Sequence, residues 1–181
     1  MRSKLNLELK YFCRDFGPVR RVLKGFGARK MSVRKQTDHY FNISRNNRAH
    51  ARARLKLRVE NGKHILVYYT RPEFSASAKS TPSDVSLLPV ADHRLYSFLA
   101  RSLGISAIVE KRRELWRKGN TVFHCDTIKH VGTIFEIEVW ASAQTLKRDR
   151  AAFAEYRKKL LPYLSKPVRG SNEDLVIAAG K

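Results

Sequence analysis

Residues 52–58 read Arg-Ala-Arg-Leu-Lys-Leu-Arg. The alternation is strict, with Arg52, Arg54, Lys56 and Arg58 on one parity and Ala53, Leu55 and Leu57 on the other. Successive side chains of a strand point to opposite faces. The stretch therefore predicts a strand with one apolar face and a row of cations on the other. Four like charges in a row repel. Either that face is solvated, or it lines a groove or barrel interior built for a polyanion. Taken alone, the strand slightly favours the solvated face.

Working outward, the strand runs on to Glu60 and meets Asn61-Gly62, the strongest two-residue hairpin signal. The return strand spans 63–71. A two-residue turn pairs Glu60 with Lys63. Arg58 then faces Ile65, Lys56 faces Val67, Arg54 faces Tyr69 and Arg52 faces Arg71. Directly paired residues share a sheet face. Arg71 thus joins the cationic side, and Leu66 and Tyr68 join the apolar one. A bulge would break this arithmetic.

The same parity recurs elsewhere. Leu5 to Phe12 alternates, with Leu5, Leu7, Leu9 and Tyr11 against Asn6, Glu8, Lys10 and Phe12. Gln36 to Asn42 is a second strand, and Asp84 to Val90 a short one. Ile105 to Trp116 places Lys111 and Arg113 on the face of Ala107 and Val109. Thr121 to Ile128 sets His124 and Asp126 against Phe123 and Cys125. Thr133 to Trp140 sets Glu136 and Glu138 against Phe135, Ile137 and Val139. Three helices are predicted. One has Pro18 in its first turn, with Val19, Val22, Leu23 and Phe26 as its apolar side. One spans 92–103, with Leu95, Phe98, Leu99 and Leu103 on one side and Gly104 as a stop. One spans 143–161, with Leu146, Phe153, Tyr156 and Leu160 inward. Residues 73–82 read as a flexible loop, and the tail 162–181 as irregular. Seven or eight mostly antiparallel strands joined by tight hairpins suit a barrel, which removes sheet edges.

With 181 residues and 43% hydrophobic content the chain is expected to fold as one domain with a real core. Its net charge is +21, with pI ≈ 10.5. That implies anionic partners: nucleotide phosphates, polyphosphate, nucleic acid or an acidic membrane. From Arg20 to Arg58 there are thirteen basic residues and one acid, Asp38. Cys13 and Cys125 have neither metal-type nor disulfide-framework spacing. There is no apolar signal run and no segment long enough to span a membrane, so a cytoplasmic protein is expected. No P-loop is present, and Gly25-Phe26-Gly27 reads as a helix stop.

The charges are sorted by sign among the strands. The hairpin at Asn61-Gly62 is basic, the strand at 133–140 is acidic, and the first strand carries both signs. That suits a triphosphate and a divalent cation sharing one cavity. Arg and Lys hold phosphate oxygens through charge-assisted hydrogen bonds, and carboxylates hold a hard cation.

Leu-Glu-Leu-Lys at 7–10 resembles the second half of the Glu-x-Glu-x-Lys signature of the CYTH superfamily, the triphosphate tunnel metalloenzymes. The likeness continues through Gln-Thr-Asp-His-Tyr-Phe-Asn (36–42), Arg-Leu-Lys-Leu-Arg (54–58) and Tyr-Tyr-Thr-Arg-Pro (68–72). It goes on through Pro-Val-Ala-Asp (89–92), Val-Glu-Lys-Arg-Arg-Glu-Leu-Trp (109–116) and Phe-Glu-Ile-Glu-Val (135–139), with a weaker echo at 171–175. No single motif is very specific; their order is. The chain is most similar to the class IV adenylyl cyclase-like branch, whose fold is shared by thiamine and inorganic triphosphatases.

The resemblance implies an α+β fold, an eight-stranded antiparallel closed β-barrel (the triphosphate tunnel) with flanking helices, in a single domain over 1–181 with its core at about 5–161. It implies a substrate that is a nucleoside triphosphate or inorganic triphosphate, and Mg²⁺ or Mn²⁺ as cofactor. It makes Lys10, Arg54, Lys56, Arg58, Arg71, Lys111 and Arg113 triphosphate-binding. It makes Glu8, Glu136 and Glu138 metal-binding, with Asp126 an additional polar or metal contact. Three departures stand out. Asn6 replaces the first Glu of the signature, Asn172 stands where Tyr is common, and Lys79 does not fit the spacing of its motif. Two reactions suit the cradle: attack of a ribose 3′-hydroxyl on the α-phosphorus, or of water on the γ-phosphorus. No general base is assigned. The alternative is a non-catalytic binder of RNA or polyphosphate through Arg20, Arg21, Lys24, Arg29, Lys30, Arg34 and Lys35, whose plainer reading is a solvated surface. A His124–Asp126 metal site lacks supporting His spacing, so a packed sheet histidine is preferred.

Overall fold

The structure, a computed structural model, describes residues 5–43, 53–70, 81–142 and 144–180, and at 5, 6 and 81–84 the backbone alone. In chain order the elements are β1 (Leu5–Phe12), α1 (Phe16–Gly25), β2 (Arg29–Phe41), β3 (Ala53–Glu60), β4 (Lys63–Thr70), β5 (Thr81–Val90), α2 (Arg94–Leu103), β6 (Ile105–Lys118), β7 (Thr121–Ile128), β8 (Gly132–Ala141), α3 (Leu146–Leu160) and α4 (Asn172–Ala178). Asn61 and Gly62 both take positive φ, 49° and 73°, as a hairpin turn matched to strand twist requires. The β3–β4 register is the one counted from that turn, from Glu60 with Lys63 to Arg54 with Tyr69. Arg52 and Arg71 lie outside the described residues, as does most of the expected 73–82 loop.

All strand pairings are antiparallel, and the order β1-β5-β4-β3-β2-β6-β7-β8 returns to β1. The sheet is strongly curled, and its seam is short: β1 meets β5 only over Leu5 to Glu8. Beyond the seam the C-terminal segment takes the free edge of β1. Val168 N–H donates to the Lys10 carbonyl (3.0 Å), Phe12 N–H to that of Lys166 (3.1 Å), and Ser165 N–H to that of Phe12 (2.8 Å). Exposed strand edges are templates for mispairing, and this segment covers one.

Two apolar clusters flank the barrel wall. Outside it, Leu7 and Leu9 of β1, Phe123 of β7 and Phe135 and Ile137 of β8 pack under Val19 and Leu23 of α1 and Phe153 and Leu160 of α3. Each fully buried side chain of this kind contributes roughly 1.5–3 kcal/mol. Asp15 caps α1 by accepting from Gly17 N–H at 2.7 Å. Inside the barrel, Tyr40, Val109, Ile128 and Ile134 meet Val168 and Val176 from the C-terminal segment and close one end.

Several expectations need correction. Residues 162–181 are not irregular. They contain α4, started by a capping box in which Ser171 and Asp174 each satisfy the other's backbone N–H. β2 begins seven residues earlier than expected because its first half pairs with β6 alone. β5 begins at Thr81, within the expected loop. The apolar side of α2 buries none of its side chains fully, and Phe98 is 67% exposed.

Candidate active site

Inward parity delivers charged side chains from β1, β2, β3, β6, β7 and β8 to one interior. The cavity there measures about 170 Å³. Lys56, Arg58, Lys111 and Arg113 line it on the cationic side, and Glu8, Glu136 and Glu138, with Lys10 among them, on the acidic side. Val67 and Leu87 give it an apolar wall on β4 and β5.

The cationic side is organised by Asp38, which is fully buried. Arg58 donates to it twice, at 2.7 and 2.9 Å, and Lys56 donates at 2.9 Å. Lys111 approaches it at 3.4 Å. Burial alone would raise this carboxyl, yet Lys56, Lys111 and Arg58 hold it well below the usual aspartate range. Burial pulls Lys56 well below the usual lysine range, and burial with Arg113 alongside brings Lys111 down to about 8. Tyr40 adds its hydroxyl 3.3 Å from the Lys56 ammonium.

Asp126 stands behind Arg113, gripping it at 2.7 and 2.6 Å. It is 1% exposed, and against the cost of burial Arg113 and Lys111 keep its carboxyl low. Arg113 turns its other contact, at 3.2 Å, to Glu136. Burial opposes ionisation of Glu136 and Glu138, but Lys10 and Arg113 at the first, and His124 at the second, hold both below the usual range.

The acidic side is built on a cross-strand pair of pairs, Glu8 opposite Glu138 and Lys10 opposite Glu136. Lys10 lies 3.0 Å from Glu8 and 3.8 Å from Glu136. His124 Nε2 meets Glu138 at 3.0 Å, while its Nδ1 is buried without a hydrogen-bond partner. Among the described residues no three His, Cys, Asp or Glu groups gather closely enough to hold a metal unaided. The donor set is that of a hard divalent cation that keeps waters and completes its shell with substrate oxygens.

Arg54 stands apart from the cavity lining. It reaches Glu173 at 2.6 Å and Asp174 at 3.1 Å on α4, at the closed end. Arg71 and the side chain of Asn6 lie outside what the structure describes. Sequence reasoning missed Asp38, Tyr40, His124 as the partner of Glu138, and Asn172, which reaches the cavity from α4. Asp38 had left one signal, as the lone acid in a basic stretch.

Comparison with curated proteins finds no match. Among solved structures, the PH1012 protein from Pyrococcus horikoshii superposes with a TM-score of 0.76 at 19% identity, over 94% of this chain and 99% of that one. A candidate adenylate cyclase from Vibrio parahaemolyticus gives 0.75 at 14% identity, over 97% and 99%. A candidate adenylyl cyclase from Hippeastrum, described as having a dominant triphosphatase activity, gives 0.61 at 15% identity, over 98% and 96%. At these identities the likeness speaks for the fold alone. The CYTH domain family model matches residues 4–170, nearly the whole chain. The chain belongs to the CYTH domain family.

Proposed function

We propose that this protein is a divalent-metal-dependent enzyme that processes a triphosphate inside the barrel, as an adenylyl cyclase-like enzyme or a triphosphatase. One observation carries the reading: a wall of buried cations and a wall of buried carboxylates face each other across a single cavity. Lys56, Arg58, Lys111 and Arg113 hold the phosphate oxygens. Asp38 and Asp126 keep those cations charged and aimed, so Asp126 acts as a positioning residue rather than a metal ligand. Lys10 serves the phosphates from the acidic side. Glu8, Glu136 and Glu138 hold Mg²⁺ or Mn²⁺, which would offset phosphate charge and polarise the reacting phosphorus. Such a cradle works by orientation and by charge stabilisation that is in place before the reaction begins.

The cyclase and hydrolase reactions differ in the attacking oxygen and in the phosphorus attacked, and both suit these ligands. The Vibrio neighbour, a candidate adenylate cyclase, speaks for the first, and the Hippeastrum neighbour, with its dominant triphosphatase activity, for the second. The test is product identification from ATP and from tripolyphosphate with Mg²⁺ or Mn²⁺. Cyclic AMP with pyrophosphate marks the first reaction, and orthophosphate from either substrate marks the second. Glu136→Gln and Glu138→Gln keep shape and remove charge, so each should lower turnover at least a hundredfold. Normal turnover in both variants, still sensitive to EDTA, would move the metal elsewhere.

A further inference from the structure

The tunnel does not account for the charge of this protein. Its six described cations face seven carboxylates, counting Glu173 and Asp174 of α4. Among the residues whose side chains are described, removing them from 29 Lys and Arg and 14 Asp and Glu leaves 23 against seven outside the tunnel, an excess of +16.

Part of it is concentrated on a defined ribbon. Among the described residues Arg29 to Lys35 of β2 pair with β6 only, and this segment runs past the β3–β4 hairpin. On its outer face Lys35 lies opposite Arg112, while Arg29 lies opposite Arg117 on the other face, the one that carries Lys111 and Arg113 further along β6. All four are exposed. Like charges directly opposite each other on a sheet destabilise it. The carboxylates nearby are already engaged. Glu114 is 2% exposed and held by Arg20 at 3.0 and 3.2 Å, by Lys30 at 3.4 Å and by the Trp116 indole at 2.6 Å. Glu60 is held by Arg34 at 2.5 Å and by Gln36. The Arg20–Glu114 pair ties α1 beside the ribbon. Lys24, one helical turn from Arg20, and Arg21 add two more exposed cations there.

We propose that this outer face, formed by the first half of β2, the second half of β6 and the polar side of α1, binds the phosphate backbone of double-stranded nucleic acid without reading its sequence. Lys30 and Lys35 of β2 and Arg112 of β6 share the outer face with α1, and Arg21 and Lys24 of that helix extend its exposed cations. A single strand would need free aromatic rings for its bases. Phe26 and Tyr156 are packed against each other and against Phe123, and Trp116 on β6 is 4% exposed. A lipid surface would need a broad apolar face to insert, and the ribbon exposes only Met31 and Val33. The site is separate from the tunnel and stands whether or not the tunnel turns over triphosphate.

The test is fluorescence anisotropy of the full chain with short DNA and RNA duplexes over a salt series. Binding should weaken with a log–log slope of roughly −0.9 per phosphate neutralised. The double variant Lys35→Glu/Arg112→Glu should lose at least tenfold in affinity and flatten the slope by about two. Arg101→Glu on α2 should change neither, and the three proteins should share one thermal midpoint. Lys56→Ala, inside the tunnel, should leave duplex binding unchanged. Equal losses in Arg101→Glu would make the attraction diffuse, and a loss in Lys56→Ala would move it into the tunnel; either overturns the proposal. So would capture by phosphatidylserine vesicles with no duplex binding at the same salt.

Discussion

Asp38 and Arg58 lie directly opposite each other on β2 and β3 and share two parallel hydrogen bonds, with the guanidinium donating at 2.7 and 2.9 Å. Bidentate pairing fixes direction as well as distance. Because the same carboxylate also takes Lys56, one buried anion sets the aim of two cations on β3. With Lys111 drawn in from β6, it joins three strands of the cationic wall.

Asp38→Asn should therefore destabilise the fold by about 3–5 kcal/mol, the usual result of removing one partner from a buried charge network. Urea unfolding measures this. The hub's contribution is present above the ordinary aspartate value and is lost only as pH falls through the depressed value of the folded state. Tripolyphosphate offers the stranded cations a replacement anion. It should raise the unfolding midpoint of the variant more than that of the parent, by preferential binding to the folded state. A variant as stable as the parent, and no more responsive to tripolyphosphate, would reduce Asp38 to a bystander.

Lys111 gives the site a pH dependence. Burial, helped by Arg113, brings its ammonium down to about 8. A lysine with a lowered value loses its charge as pH rises through that value, and with it its hold on phosphate. Affinity for tripolyphosphate should be level below pH 8 and should fall above it. Lys111→Arg removes that group's titration, since a guanidinium stays charged, so its affinity should fall less steeply from pH 7 to pH 9.5 than the parent's, the remaining fall coming from Lys56, which burial also pulls down. Calorimetric titrations at four pH values decide. The same fall in both proteins would place the titrating group elsewhere.

How much of this was legible follows from how far apart the interacting residues lie in the chain. The β3–β4 pairing from Glu60 with Lys63 to Arg54 with Tyr69 was readable because a two-residue turn leaves no freedom in the count. The pairing of Asp38 with Arg58 was not, because the connection between β2 and β3 is too long to set a register by arithmetic. The inward parity of Lys10, Lys111 and Glu136 was plain, but parity names a face and not a partner. The role of Asp126 behind Arg113 needed the β6–β7 register. Ser171 with Asp174 three residues on was a readable helix start, overlooked because the tail carries little apolar periodicity. For α2 the apolar pattern promised a buried face, whereas the helix lies on the outside of the wall with Phe98 largely in solvent.

Arg54 tests whether the closed end of the barrel can yield a ligand. The resemblance makes it a phosphate contact, yet its guanidinium is engaged by Glu173 and Asp174. Glu173 is 2% exposed and also accepts from the Ser106 hydroxyl, which ties α4 to β6. Asp174 also holds the Ser171 N–H at 2.7 Å, so the helix start and the ion pair share one carboxylate. Glu173→Gln keeps the shape and removes one charge. It should cost about 1–3 kcal/mol, the usual penalty for a buried partner left poorly satisfied, and speed hydrogen exchange at amides 172–178. If Arg54 then turns toward the cavity, tripolyphosphate affinity should rise severalfold. Arg54→Ala should loosen α4 to a similar degree without that gain. Loosening of α4 in both variants, with affinity unchanged in each, would make Arg54 an anchor for the helix and remove it from the phosphate ligands.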